Sequence, residues 1–445
     1  MNAKQWTLIK SGATPDVLTI PQFLSQRAVQ HFHTTSTTGT EDTPSTIQDA
    51  TEKVLPPVPV PVPLRVGLDP FVFAATFPET LEHEFAKTAT RAGIPTTTTI
   101  GMIDTTHSTT NLVDDIWGDE RPAVPVAPFR VHPLQYAGVT VAEKIATIRQ
   151  QMTHEKTKAT LAIFCTLDDV AYLCNLRATG DIATCPVGIA YATVTDQDTI
   201  LYCDRAKIAA SSSVQEHLAA AAVTVRPYEA IVHDVQQHVQ QSRDHKVWLD
   251  RTRSNYKLSS LVPTEQLLDA QTSITPMKAI KNTAELDGMR LAHAVDGAAM
   301  AKFMAWLDHE IRVLGRRINE VDLDTKLTAF RAEQPGFVEL SFPTIAGVGS
   351  NGAIIHYSAS NDKPELLQSL DIHQPILIDS GGQYKYGTTD VTRTWYFGTV
   401  SVNNAATTSS NTVVDDDYID SYTRVLKGNI AVDTMIFPGM FTPFS

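Results

Sequence analysis

Residues 376–398 read ILIDSGGQYKYGTTDVTRTWYFG. An apolar run ends in Asp379, two glycines and a polar stretch follow, and Asp390 heads a second run rich in β-branched and aromatic residues. Runs of this kind, bounded by Gly and polar residues, predict two strands joined by a turn over SGGQYKYGT. Aspartate is depleted inside strands because its side chain competes for the backbone's hydrogen bonds. One at the end of a strand and another at the start of the next become neighbours if the strands pair. Two unneutralised carboxylates in one site repel, and one of them would take up a proton. A divalent cation removes that cost, and hard oxygen donors suit Mn²⁺, Mg²⁺ or Ca²⁺. A carboxylate shared by two such ions also gives a route to an activated water. On spacing alone the plainer alternative stays open, that both aspartates only cap turns.

Other chemistries fit less well. ILIDSGG has the hydrophobic-hydrophobic-Asp-Ser-Gly pattern of aspartic proteases, whose chemistry needs two such aspartates sharing a proton. This chain has one DSG, with Gly382 where Ser or Thr is usual, so a dimer would have to supply the partner. His–Glu pairs at His83, His154 and His309 are not followed by the second histidine of a zinc helix. No phosphate-binding loop or nucleophile elbow is present, and GVGSNG (347–352) reads as a turn rather than a dinucleotide fingerprint. The net charge of −13 comes without any Lys/Arg cluster, which argues against nucleic acid as a partner. Four cysteines without a CxxC pair make no disulfide framework and point to a reducing compartment. The first residues, MNAKQWTLIKSG, lack the apolar core of a secretory signal, and no run approaches membrane-spanning length. The expectation is a soluble, cytoplasmic protein with no membrane partner.

Along the chain, residues 34–53 are polar and of low complexity, and VLPPVPVPVPL (54–64) is proline-rich, reading as a stiff linker rather than a ligand for an SH3-type domain. From 65 to about 265, short apolar runs alternate with helical ones: RVGLDP then PETLEHEFAKTATRAG, later ATLAIFCT then a helix around Asp168–Leu176. That alternation predicts two α/β domains of similar plan. A third unit opens at KAIKNTAELDGMRLAHAVDG, where Asn282 and Glu285 have the spacing of a capping box. Leu286, Met289, Ala294, Ala298, Phe303 and Trp306 then recur at helical spacing, the Met and aromatic members reading as core rather than a cofactor contact. From 341 the chain turns strand-rich, through SFPTIAGVGS, GAIIHYSAS, PILIDSGG and VTRTWYFGTV, and 401–416 is a second low-complexity loop.

FVELSFPTIAGVGSNGAIIHYSAS together with ILIDSGGQYKYGTTDVTRTWYFG resembles the catalytic domain of cytosolic Xaa-Pro aminopeptidases (aminopeptidase P), M24 metallopeptidases of pita-bread fold. KAIKNTAELDGMRLAH resembles that domain's opening helix, and NLVDDIWGDERP and LDDVAYLCNLRATGD resemble the two creatinase-type domains before it. The resemblance implies an α/β chain with an α+β catalytic part. It divides the chain into creatinase-type domain I (1–135, with the insert at 34–64), domain II (136–272) and the N-terminal half of a pita-bread domain (273–445). Asp379 matches the family's first metal ligand, Asp390 its second, which bridges the metals, and His356 the histidine that contacts substrate near the scissile bond. The implied reaction releases the N-terminal residue of peptides with proline at position 2. The complete family site holds two Mn²⁺ per subunit, and the complete member is a homodimer.

The family site also calls for one further His and two Glu downstream of the second Asp. Residues 391–445 contain neither residue type, and KQWTLIKSG resembles an internal strand and helix start of the first domain. The expectation is therefore a family member cut at both ends and inactive as given. The alternative is a non-catalytic derivative that binds partners.

Overall fold

In the computed structural model the described residues are 20–22, 24–27, 29, 64–93, 100–104, 112–154, 157–241, 243–398 and 416–436. The low-complexity and proline-rich stretch before 64, the expected strand at KQWTLIKSG and the polar loop at 401–415 lie outside them. The chain divides into two compact units, one of Met1–Val131, Val139–Asp181 and Val187–Ile280, the other of His132–Gly138, Ile182–Pro186 and Lys281–Ser445.

The first unit is built on a six-stranded sheet. Its strands are β1 (Leu161–Phe164), β2 (Ala190–Thr195), β3 (Thr199–Cys203), β4 (Val223–Arg226), β5 (Val247–Leu249) and β6 (Leu267–Asp269), in the order β6-β5-β1-β2-β3-β4. β6, β5 and β1 run parallel, β2 is antiparallel to both β1 and β3, and β4 is parallel to β3. Alternation along β1 sends Ala162 and Phe164 to one core and Leu161 and Ile163 to another. The first core is closed by helix α1 (Val141–Met152), through Val141, Ile145, Ile148 and Met152. The second is closed by α2 (Ala230–Gln241), through Ile231 and Val235. A sheet covered on both faces explains why ATLAIFCT reads as a continuous apolar run rather than an alternating one. Ahead of this sheet, Leu64–Leu68 pairs in parallel with Ile100–Asp104 around the helix Phe77–Arg91.

The second unit opens with the long helix α3 (Thr283–Asp308). Its start is the capping box read from sequence: the Glu285 N–H donates to Asn282 Oδ1 and the Asn282 N–H to Glu285 Oε2, each at 3.0 Å. The helical period is as expected, and of the expected residues Phe303 is buried and Met289 and Trp306 are half-buried, but the rest of the buried stripe differs. Gly288, Ala292, Asp296, Ala299, Phe303 and Leu307 face inward, while Leu286, Ala294 and Ala298 are exposed. The stripe includes a small residue where another backbone approaches, since a side chain at Gly288 would meet the carbonyl oxygen of Tyr386. It also includes a carboxylate, which is tolerated because α4 (Glu320–Ala332) brings Arg331 against it.

Beyond α4 come β7 (Phe337–Leu340), β8 (Ile345–Val348), β9 (Pro375–Ser380), β10 (Gly382–Tyr384) and β11 (Val391–Tyr396). β8, β9 and β11 form an antiparallel sheet with β9 at its centre, and β10 pairs with β7. Ala346, Val348, Ile376 and Ile378 pack with Phe303, Leu307, Leu323 and Leu327 in one core. A last helix, α5 (Asp416–Asp433), sets Tyr418 against Tyr396 at 5.5 Å between ring centroids. Among the described residues no helix is long and apolar enough to cross a membrane.

Candidate metal centre

The strands on either side of the opening stretch do pair. In the β9–β11 register Asp379 lies opposite Thr392 and Ser380 opposite Val391. Antiparallel partners share a face, and residues two apart along a strand share it too. Asp379 and Thr392 therefore belong to one face of the sheet, and Asp390, the exposed residue just before β11, continues the alternation toward that face. Ser380 and Val391 belong to the other, with the buried Ile376 and Ile378. The two carboxylates are diagonal neighbours at the end where β9 leaves the core and β11 enters it. A diagonal pair of this kind is separated by about 7–8 Å between its backbone positions.

The link between the strands is more than the turn expected from sequence. Residues Gly382–Tyr384 form a strand of their own against β7. The rest of the link is knotted by short bonds. The Gly382 N–H donates to Thr389 Oγ1 at 2.9 Å, the Thr389 N–H to Gly382 O at 3.0 Å, and Ser341 Oγ to Thr389 O at 2.8 Å. Gly381 is required here for space, since a Cβ would run into Thr389 O and Ser341 Oγ. Asp390 thus follows a residue fixed on three sides while its own side chain is exposed.

Behind the carboxylates lies a buried polar group that sequence reading did not find. Arg331, with no exposed surface, donates from Nε to Asp296 Oδ1 at 2.7 Å and from Nη2 to Asp296 Oδ2 at 3.1 Å. Nη2 also donates to Ser380 Oγ at 3.1 Å, and Tyr384 Oη donates to Asp296 Oδ1 at 2.8 Å. Burial pushes the Asp296 carboxyl up, but bonds from Arg331, its charge, and bonds from Tyr384 and Thr389 outweigh it and hold the group below the usual carboxylate range. Burial and the neighbouring Asp296 raise the Tyr384 hydroxyl, so it stays protonated and donating. Ser380 and Thr389 are the inward-facing neighbours of Asp379 and Asp390. The network therefore grips both strand ends from the core side.

Asp379 Oδ1 is buried with no hydrogen-bond partner. A buried acceptor without a donor is costly unless something positive reaches it. With a second carboxylate on the same face, the donor set is hard, anionic and oxygen-only, which fits a divalent cation. It is a partial set: among the described residues no three His, Cys, Asp or Glu side chains gather in a metal-holding group.

His356 is not in the strand that GAIIHYSAS suggested. β8 ends at Val348, Gly349–Ala353 forms a short 3-10 turn, and His356 follows with a left-handed backbone, φ +55°. Ile354 and Ile355, whose apolar character suggested a strand, are exposed, Ile355 at 85 %. The turn residues Gly349, Ser350, Asn351 and Gly352 just before them carried the signal that β8 stops there.

Comparison with known proteins bears on the same residues. The profile of the Creatinase/Prolidase N-terminal domain matches residues 120–285, and that of metallopeptidase family M24 matches 287–442. The chain is 37 % identical over 381 residues to a probable Xaa-Pro aminopeptidase P of Talaromyces marneffei, covering 84 % of this chain and 52 % of that one. It is 34 % identical over 401 residues to aminopeptidase P2 of Arabidopsis thaliana, again covering 84 % of this chain and 52 % of the relative. Among solved structures it resembles X-prolyl aminopeptidase from Caenorhabditis elegans, described as a cytosolic enzyme with a di-nuclear active site. That match has a TM-score of 0.75 at 26 % identity, covering 97 % of this chain and 60 % of that one. The chain spans about half the length of the curated relatives it matches.

Proposed function

This chain belongs to metallopeptidase family M24, with a creatinase/prolidase N-terminal domain before the M24 segment, and we propose that it serves Xaa-Pro aminopeptidase chemistry, the release of an N-terminal residue that precedes proline. The observation that carries this reading is the pair Asp379 and Asp390, set on one sheet face within the M24 segment, one of them with a buried, unpartnered oxygen. Asp379 and Asp390 would hold the metal, with Asp390 shared between two ions in a complete site. Mn²⁺ is the metal we assign. A divalent cation, when bound, supplies Lewis acidity toward water and the scissile carbonyl. The chain's own residues do the rest. The network of Arg331, Asp296, Tyr384, Ser380 and Thr389 holds the carboxylates at fixed spacing. The exposed imidazole of His356 is free to meet the substrate near the scissile bond and to hold or pass a proton there. By the same reading the partners are peptides with proline at position 2 and a second copy of the protein, and the location is cytoplasmic.

A second reading has its own observation. No group of three metal-holding side chains occurs among the described residues, and residues 391–445 contain neither His nor Glu. These 445 residues by themselves then supply two carboxylates, too few to organise two metals, and a polypeptide of this sequence alone is non-catalytic. The test is release of arginine from Arg-Pro-Pro by the purified 445-residue polypeptide with added Mn²⁺. We expect no rate. A Mn²⁺-dependent rate that tracks the protein and disappears in Asp390→Ala would overturn this and make the pair sufficient.

A further inference from the structure

Helix α4 buries the stripe Glu320, Leu323, Leu327 and Arg331, so a charged residue stands at each end of an apolar seam. Arg331 has its carboxylate partner. Glu320, with no exposed surface, has no cation among its hydrogen-bond partners. Its Oε1 accepts from the Val348 N–H at 2.8 Å and from Asn351 Nδ2 at 3.0 Å. Its Oε2 accepts from Tyr357 Oη at 2.7 Å, the Gln368 N–H at 3.0 Å and Asn351 Nδ2 at 3.2 Å. A buried carboxylate is tolerable only when its oxygens are met by donors, and the first turn of a helix favours the negative charge further.

All four donor residues lie between 348 and 368, and His356 is in the middle of that segment. Little else ties its central turn down. Ala353, Ile354, Ile355, His356 and Ser358 are exposed, whereas Tyr357 is buried with its hydroxyl on Glu320. The left-handed backbone of His356 is one that a residue with a side chain keeps only where its surroundings hold it. Asn351 closes the arrangement by donating from Nδ2 to Leu366 O at 2.9 Å as well.

We infer that Glu320 is the positioning residue of His356: it is the buried anion around which residues 348–368 fold, and through Tyr357 it fixes the turn that presents the imidazole. This rests on the reading of His356 as the group that meets the substrate. It assigns to α4 a role that neither the carboxylate pair nor the family match requires.

Glu320→Gln keeps the shape and reverses the logic. Whichever way the amide turns, its NH₂ faces N–H donors that an oxygen faced before. Tyr357 can rotate its hydroxyl, but the Val348 or the Gln368 N–H cannot. The experiment is amide hydrogen exchange together with NMR of the histidine ring resonances, on the 445-residue polypeptide without metal. We expect exchange at the bonded amides of 348, 354, 357 and 368 to speed at least tenfold in Glu320→Gln, with α3 amides unchanged and the His356 ring signals moving toward those of an unfolded peptide. Unchanged exchange and ring signals would overturn the inference, and so would a uniform loss of protection throughout the unit, which is the mark of a merely structural residue. If Glu320→Gln does not fold, Tyr357→Phe removes one donor only and should still speed exchange at the bonded amides of 354 and 357; no change there overturns it equally. Adding Arg-Pro-Pro to the wild-type polypeptide separates the two layers. A His356 signal indifferent to peptide refutes the substrate-contact reading while leaving the anchor to be judged by the exchange data.

Discussion

Arg331→Met removes a charge from the centre of the second unit while keeping a flexible apolar stem. Arg331 makes two bonds to Asp296, at 2.7 and 3.1 Å, and one to Ser380, at 3.1 Å. In the variant Asp296, 2 % exposed, is a buried carboxylate without its cation, met by Tyr384 Oη at 2.8 Å. Breaking one side of a buried ion pair costs about 3–5 kcal/mol. At about 2–4 °C per kcal/mol for a unit of this size, the melting temperature should fall by roughly 6–20 °C. Arg331→Met/Asp296→Leu takes out both charges and should recover most of that loss, because a buried pair replaced by apolar side chains is often neutral or better. Arg331 Nη1 is itself buried without a partner, so the wild-type pair is not fully satisfied. The pH dependence follows from the direction of the Asp296 shift. Its folded value is held below the unfolded one, so its contribution is present above the unfolded pKa of about 4 and is lost as pH falls through the folded value. Without Arg331, burial dominates and the folded value lies above the unfolded one. Stability then rises as pH falls, and the deficit of Arg331→Met should narrow between about pH 7 and pH 5. Scanning calorimetry at both pH values reads all of this. A single variant as stable as the double one, or a deficit that grows on acidification, would refute the assignment of Asp296 as the charge that Arg331 neutralises.

Two further outcomes concern the carboxylate pair itself. Titrated with Mn²⁺ in a calorimeter, the 445-residue polypeptide should bind at most one ion, weakly, and Asp379→Asn should weaken that binding about tenfold, some 1.4 kcal/mol. Tight uptake of two ions per chain would mean that another donor set exists. Gly381→Ala should cost about 1–3 kcal/mol, because its methyl group meets a backbone oxygen that cannot swing away; a variant with wild-type stability would show that the link between β9 and β11 is looser than described.

What the sequence made legible was whatever a period or a local bond dictates. Apolar and β-branched runs bounded by Gly and polar residues announced β9 and β11, and their pairing was the condition on which Asp379 and Asp390 were read as neighbours. The capping box at Asn282 was readable for the same reason, being an interaction across three residues. The aromatic end of the α3 stripe was readable too, but its N-terminal half was not. Its inward face carries Gly288, Ala292 and Asp296, residues that a hydrophobic count passes over, and what makes them inward is Tyr386 and Arg331, distant in sequence. His356 was placed in a strand because Ile354 and Ile355 look like one, although both are exposed. Glu320 and Arg331 gave no signal at all. A charged residue on a helix is ordinarily solvated, and only the tertiary partners turn these two inward.

Those two residues suggest why α4 matters to the site. They are eleven positions apart, which places them on nearly the same side of a helix and about 16 Å apart along its axis. The anion stands in the first turn and the cation in the last, the arrangement that the helix dipole favours. Each end holds a different part of the proposed centre from inside: Glu320 the segment that carries His356, and Arg331, through Ser380 and Asp296, the strand ends that carry Asp379 and Asp390. A helix packed along its middle by Leu323 and Leu327 is stiff over that distance, whereas the turn at 349–358 and the exposed carboxylate at 390 are not stiff by themselves. The spacing between the histidine and the carboxylate pair is then set by a helix that touches neither. This also explains why α4 buries charge at the two ends of its seam and only leucine between them.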